Sequence, residues 1–210
     1  MKSLFPTSYF PPISYMTALL REENPLIEIY ETYPKQTYRN RCIVMTANGV
    51  QSLSVPVSKP FGNRTKTAEI QISYQTPWQQ IHKRTLLSAY KSTPYFDHYF
   101  PRFEHFFDKE ITNLIDLNHK ILSELFKILK IEKSIDFTTD YIKSSCEITD
   151  YRMVFNPKKR TVTNDFPAYY QAFCEKYPFA PNLSILDLIF NEGPCASIYL
   201  KQLNSNSFQE

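Results

Sequence analysis

The 210-residue chain carries 24 Lys and Arg against 21 Asp and Glu, a net charge of +3, together with 15 Pro, 15% aromatic residues and only three glycines. So small a charge excess excludes the broad basic bias of a nucleic-acid binder. Three glycines leave neither a GxGxxG nor a P-loop pattern writable, which excludes a phosphate cradle built from glycine backbone.

At 42% hydrophobic and 21% charged the composition is that of a globular chain. We expect a single domain over residues 1–210, sheet-rich in 1–75 and helix-rich in 76–203, of α/β class, with α+β as the alternative. Residues 2–5 read as a short strand feeding the loop PTSYFPP. From Pro12, apolar residues at Ile13, Met16, Leu19 and Leu20 recur at helical spacing, and Asn24-Pro25 ends that helix. Leu26, Ile27, Ile29 and Tyr30 give a second strand, so a strand–helix–strand unit fits within thirty residues. Asn48-Gly49 between the β-rich runs 42–46 and 53–57 is a type I′ hairpin signature. Residues 69–72 alternate and predict a further strand, and unit and hairpin together predict a mixed sheet.

The second half reads as helical. A helix is predicted from about Trp78 to Lys91, then an aromatic one over 95–107 interrupted at Pro101. The clearest amphipathic helix is outlined by Ile111, Leu114, Ile115, Ile121, Leu122, Leu125 and Leu129. Residues 135–137 and 153–155 read as short strands, and 166–176 and 183–190 as helices, the last stopped by Gly193-Pro194. Residues 203–210 read as a frayed tail.

No apolar run approaches the roughly 18 residues of a spanning helix, and an N-terminus with one lysine followed by prolines does not fit a signal peptide. A cytoplasmic location without a membrane partner is expected. Cys42, Cys146, Cys174 and Cys195 lie far apart with no CxxC pair, which predicts reduced thiols. Neither they nor the four histidines have the close pairing of a metal site, so no metal is expected, and no cofactor motif is present.

Several segments can carry chemistry. Residues 31–41 follow a strand end and gather Glu31, Lys35, Arg39, Asn40 and Arg41. Arg39 and Arg41, two apart in extended chain, face the same way and can clamp a phosphate or carboxylate, or else the segment is a solvated connection. In the loop 8–15, Tyr9 and Tyr15 either line a ligand beside a helix start or plug the core. His82 lies one helical turn after Trp78, with Leu86 and Tyr90 continuing that face. It is either a general base served by Glu31 or a hydrogen-bonded packing residue. The aromatic cluster over 93–100 reads most simply as core, and Lys158-Lys159-Arg160 as a solvated turn or a phosphate contact. Glu192, placed against the dipole at a helix end, hints weakly at a paired carboxylate.

Taken together, SYFPPISY, YPKQTYRNRC, the hairpin ending LSVPV, Trp78-x₃-His82 with AYKSTPYFDHY, and PNLSILDLIFNEGP resemble the WbqC-like family, in its short Bacteroidetes-type form. The resemblance implies a role tied to O-antigen and other surface-polysaccharide gene clusters. It carries over to Tyr9, Pro12, Tyr15, Glu31, Lys35, Asn40, Arg41, Pro56, Trp78, His82, Tyr90, Pro94, Ser184, Asp187 and Gly193. The expectation is a cytoplasmic group transferase acting on a nucleotide-linked or other anionic substrate. His82 and Glu31 would be catalytic, and Tyr9, Tyr15, Lys35, Arg39, Asn40, Arg41, Trp78 and Tyr90 would bind. The alternative is a non-catalytic scaffold of a polysaccharide-assembly complex, with its interface around 95–107. The strand–loop–helix–strand opening is also similar to that of nucleotide-binding α/β enzymes that activate carboxylates, a likeness of fold alone.

Overall fold

The computed structural model describes residues 2–157 and 166–203. In chain order the elements are β1 (Lys2–Pro6), α1 (Ile13–Arg21), β2 (Asn24–Glu28), β3 (Arg41–Thr46), β4 (Gly49–Ser54), β5 (Val57–Ser58), β6 (Gln71–Ile72), α2 (Trp78–Tyr90), α3 (Phe96–Asp108), α4 (Leu114–Leu129), β7 (Asp136–Phe137), β8 (Ile148–Asp150), α5 (Ile185–Glu192) and α6 (Ala196–Gln202).

The strand–helix–strand opening forms the heart of a parallel sheet of order β7-β2-β1-β8. Ser3, Leu4 and Phe5 are all fully buried, as a central strand covered on both faces requires. Leu4 pairs with Leu26 and Phe5 with Ile27 on one edge, while Leu4 faces Asp150 on the other. The chain therefore moves outward through β1, β2 and β7, then returns to the far side of β1 with β8. Because every strand points the same way, the four carboxyl ends share one edge. At the opposite end of the crossover, the Nζ of Lys133 closes α1. It donates to the carbonyls of Leu19 at 3.2 Å, Leu20 at 2.9 Å and Glu22, a cation on the negative end of the helix.

The α/β class holds, but the hairpin does not join the parallel sheet. β3 and β4 pair only with each other, turning at Gly49 with φ +92°, and β5 and β6 make a second small antiparallel pair. The sheet draws its two outer strands from the second half instead. Residues 67–69 form a 3₁₀ turn, so the strand expected over 69–72 shrinks to β6. Residues 152–154 form a turn in place of the strand expected over 153–155, and the strand of that region is β8. Residues 166–176 are not helical. Pro167 stands at its start and Pro178 just beyond its end, and Gln171 pins it by bonding the Ala180 N–H and carbonyl, both at 2.9 Å. Lys158, Lys159 and Arg160, and the tail beyond Leu203, lie outside the described residues.

α3 runs through Pro101 without a break. Phe96, Phe100, Phe103 and Phe107 all point inward against Phe10 and Phe190, and their burial outweighs the roughly 3 kcal/mol that an interior proline costs. Apart from the partly buried Tyr95, the aromatics over 95–107 are buried as a core seam. Ser184 caps α5 by accepting from the Leu186 N–H at 3.3 Å. Asp187 of α5 is a buried carboxylate that accepts from the Tyr169 hydroxyl at 2.6 Å and Gln171 at 3.1 Å. Burial pushes its pKa up to about 6 against these bonds and that of Tyr90. After α5, Gly193 adopts φ +52°, and a Cβ there would stand 2.5 Å from the Tyr95 ring.

Gly193→Ala should thus lose about 2–4 kcal/mol of stability, from backbone strain and a ring clash acting together. Chemical unfolding of the two proteins measures it, and a loss below 1 kcal/mol would show that the Tyr95 ring yields.

Candidate functional site

Where a parallel sheet reverses its strand order, the loops leaving the two strands part and open a crevice at their carboxyl ends. Here that reversal lies between β1 and β8. β1 delivers Thr7, Ser8 and Tyr9, β2 ends on Glu28 and runs on to Glu31, and β8 ends on Asp150 and is followed by Arg152.

Two arginines organise this edge. Arg39, 1% exposed, sits in a 3₁₀ turn (Tyr38–Asn40) and donates from Nε at 2.8 Å and Nη2 at 2.5 Å to a single oxygen of Glu31. Its Nη2 also reaches the Arg152 carbonyl at 3.3 Å. Arg152 grips Asp150 with two parallel bonds of 2.9 and 2.6 Å and lies 3.6 Å from Glu28. Glu28, fully buried, further accepts from the Thr138 hydroxyl and from the Tyr30 and Ile142 N–H groups. Burial acts to raise the pKa of Asp150, but the bonds from Arg152 and Ser144 outweigh it and hold the carboxyl down to about 2. For Glu31 the balance tips the other way: burial raises its pKa more than Arg39 lowers it.

Asn118 of α4 joins the loops, donating to the Arg39 carbonyl at 2.8 Å and the Thr7 hydroxyl at 3.0 Å, while its own carbonyl oxygen is buried without a partner. Thr7, Ser8, Tyr15, Asn118 and His119 line a narrow cleft against Ile27 and Phe137 with room for about one water molecule.

The second centre is aromatic. His82 Nδ1 lies 2.9 Å from the Tyr9 hydroxyl, and Trp78 packs edge-on to the imidazole with centroids 5.1 Å apart. The ring also bonds the Ser54 carbonyl, which can only accept. The nitrogen facing Tyr9 is then the unprotonated one, and Tyr9 donates to it. Burial pulls the His82 pKa down to about 4, opposed by the Ser54 bond.

The residues singled out in the sequence thus fall into groups. Glu31 and Arg39 meet in the ion pair, and Tyr15, whose hydroxyl donates to the Pro6 carbonyl at 2.7 Å, lies in the same neighbourhood and lines the cleft. Tyr9, Trp78 and His82 meet in the aromatic centre, and a bond from the Tyr9 N–H to the Tyr38 carbonyl at 2.9 Å links that centre to the turn bearing Arg39. Asn40 ties its amide to the Val55 carbonyl at 2.8 Å. Tyr90 is core, accepting from the Met45 N–H at 3.0 Å and donating to Asp187. Lys35 is exposed and Arg41 half-buried. Thr7, Glu28, Asn118, Asp150 and Arg152 were not anticipated. Asn118 was legible as a polar residue on the apolar stripe of α4, and Glu28 as a carboxylate inside LIEI; Arg152 gave no signal.

A family model described as the WbqC-like protein family matches residues 7–160, a span that holds the crevice from Thr7 to Arg152. The chain is 26% identical over 225 aligned residues to the uncharacterized protein Rv1507c of Mycobacterium tuberculosis, covering 93% of this chain and 95% of that one. No solved structure matches it.

Removing Arg39 leaves the Glu31 carboxylate buried and unpaired, so Arg39→Met should cost about 3–5 kcal/mol in urea unfolding, and adding Glu31→Leu should restore most of it. For His82, a folded pKa of about 4 against an unfolded value near 6.5 means its stabilising contribution is complete above pH 6.5 and is lost as pH falls toward 4. Between pH 7 and 4 the wild type should lose on the order of 3 kcal/mol more than His82→Gln, and parallel pH profiles of the two would contradict this.

Proposed function

The chain belongs to the WbqC-like protein family, and from that footing we propose that it is a group transferase of surface-polysaccharide biosynthesis. Its nucleotide-linked or otherwise anionic substrate enters at the carboxyl ends of β1, β2 and β8. The observation that carries this reading is the reversal of strand order between β1 and β8. It opens a polar crevice over a set of buried ion pairs, where α/β enzymes place their ligands. Rv1507c is itself uncharacterized and lends family support without chemistry.

In this reading Thr7, Ser8, Asn118 and His119 form the narrow floor of the site, where the unpartnered Asn118 oxygen accepts from one water or from a single substrate hydroxyl. Lys35 and Arg41 answer the anion. Arg39 is engaged by Glu31 and fixes that carboxylate in place. Glu31, with its raised pKa, is a better proton acceptor for a substrate hydroxyl than an ordinary carboxylate. His82, neutral at physiological pH and weakly basic, positions Tyr9. The rival scaffold reading placed its interface over 95–107, a stretch whose aromatics are largely buried.

A thermal-shift screen against nucleotides, nucleotide sugars and acyl or aminoacyl donors tests the proposal. A true donor present at about 100 times its Kd should stabilise by roughly 2.7 kcal/mol. Glu31→Gln should retain that shift while slowing transfer by about a hundredfold or more. Silence across the panel, together with concentration-dependent self-association, would favour a scaffold.

A further inference from the structure

The buried Arg39 and Arg152 and the helix-borne Lys83, Arg102 and Lys127 have carboxylate partners, and of the described cations that have none, five lie around the chain leaving β2. Lys35, Arg41, Lys59, Arg64 and Lys66 form no ion pair among the described residues. They are not scattered. The loop 59–66, KPFGNRTK, is laid along the chain leaving β2 by bonds from the Tyr33 N–H to the Thr65 carbonyl at 3.0 Å and from the Thr67 N–H to the Glu31 carbonyl at 2.9 Å. Its first lysine stands over the Tyr33 ring, with Nζ 4.9 Å from the centroid and 3.3 Å from the Tyr33 carbonyl. Its last lysine stands 5.3 Å over the Tyr30 ring.

Tyr33 lies under Lys59 and near Arg41. It is 5% exposed, yet its hydroxyl has no hydrogen-bond partner, and neither does the buried Nε of Arg41. Leaving such a group unpaired costs free energy unless something outside the chain satisfies it. Burial, partly offset by Arg39 and Arg41, pushes the Tyr33 hydroxyl up to about 12, so it keeps its proton and can donate at neutral pH. Lys59 is held below its ordinary value by desolvation and by the neighbouring Lys35, the repulsion expected where cations gather without a counter-charge. Unpaired donors and unpaired positive charge call for one complement, an anion with several acceptor oxygens. A single carboxylate would answer one of these cations; the charge of a diphosphate answers several.

We propose that Tyr33, Lys35, Arg41 and Lys59 form a diphosphate-binding site at the carboxyl end of β2. The assignment rests on the reading above that the substrate is nucleotide-linked, and it adds Tyr33 and Lys59 to the residues that hold it. The site needs no glycine loop, because side chains and one phenol supply the donors.

Inorganic pyrophosphate, titrated calorimetrically into the full chain with acetate as the monoanion comparison, tests it. Lys59→Gln should weaken pyrophosphate binding about tenfold, and Tyr33→Phe about fivefold, while Lys127→Gln on the far helix changes nothing. Tyr33→Phe removes an unpartnered hydroxyl, so its melting temperature should not fall, which separates lost binding from lost folding. The proposal is overturned if pyrophosphate fails to bind at about 10 mM, if acetate binds as tightly, or if Lys127→Gln is as damaging as Lys59→Gln. It is also overturned if both site variants bind like the wild type. In that last case a nucleotide-linked donor that still stabilises the protein leaves the transferase reading standing, with its phosphates bound elsewhere.

Discussion

Arg39 and Arg152 carry guanidinium groups beneath the carboxyl ends of a parallel sheet, where protein groups must answer their charge because water cannot. The answers come from the ends of β2 and β8. Glu31 lies beyond β2, Asp150 closes β8, Glu28 closes β2, and the Arg39-to-Arg152 carbonyl bond couples the two halves. Asn118 brings α4 into the same set. Displacing either strand end would strand a charge in a poorly solvated place, so the ion pairs fix the ends of β2 and β8 together. That rigidity is what a binding crevice needs from its walls.

Much of this architecture could be read from residue pattern because it depends on local signals. The hairpin expected around Asn48-Gly49 forms, although Ala47 and Asn48 turn it with only Gly49 at positive φ and not as a type I′ turn; the stripe of α4 is the stripe that is buried, and the opening strand–helix–strand unit pairs in parallel. The rest depends on contacts distant in sequence. β7 and β8 are two and three residues long, too short for any period to register, and they exist because β1 and β2 offer them edges. The stretch 166–176 has apolar residues at plausible helical spacing, yet prolines and the Gln171 tether decide its path. At the site, the pairing of Glu31 with Arg39 joins residues eight apart within one segment that the sequence marked. Arg152 comes from more than a hundred residues away, and nothing near it announced its role.

The two centres differ in how their chemistry is set. Around Glu31 and Arg152, opposite charges compensate one another and burial only shifts the balance. Around His82 there is no countercharge, so burial alone keeps the imidazole neutral and turns it into an acceptor for Tyr9. The cations beside Tyr33 are a third case, charge left without compensation by the fold itself. Reading a site from its imbalance of charge, and not only from its motifs, is what separates these three.

The late arrival of β8 also gives the molecule a temporal order. β1 is made well before β8, and its second edge is completed only by residues 148–150. During synthesis the central strand must therefore wait, with one row of backbone groups unpaired, for more than half of the chain to emerge. Asp150 ends that strand and Arg152 lies just beyond it, so the docking that seals the sheet edge is also the step that neutralises the crevice. Sealing of the sheet edge and assembly of the ion-pair set are therefore one event, and a chain lacking β8 exposes both an adhesive edge and the unanswered charge of Glu28.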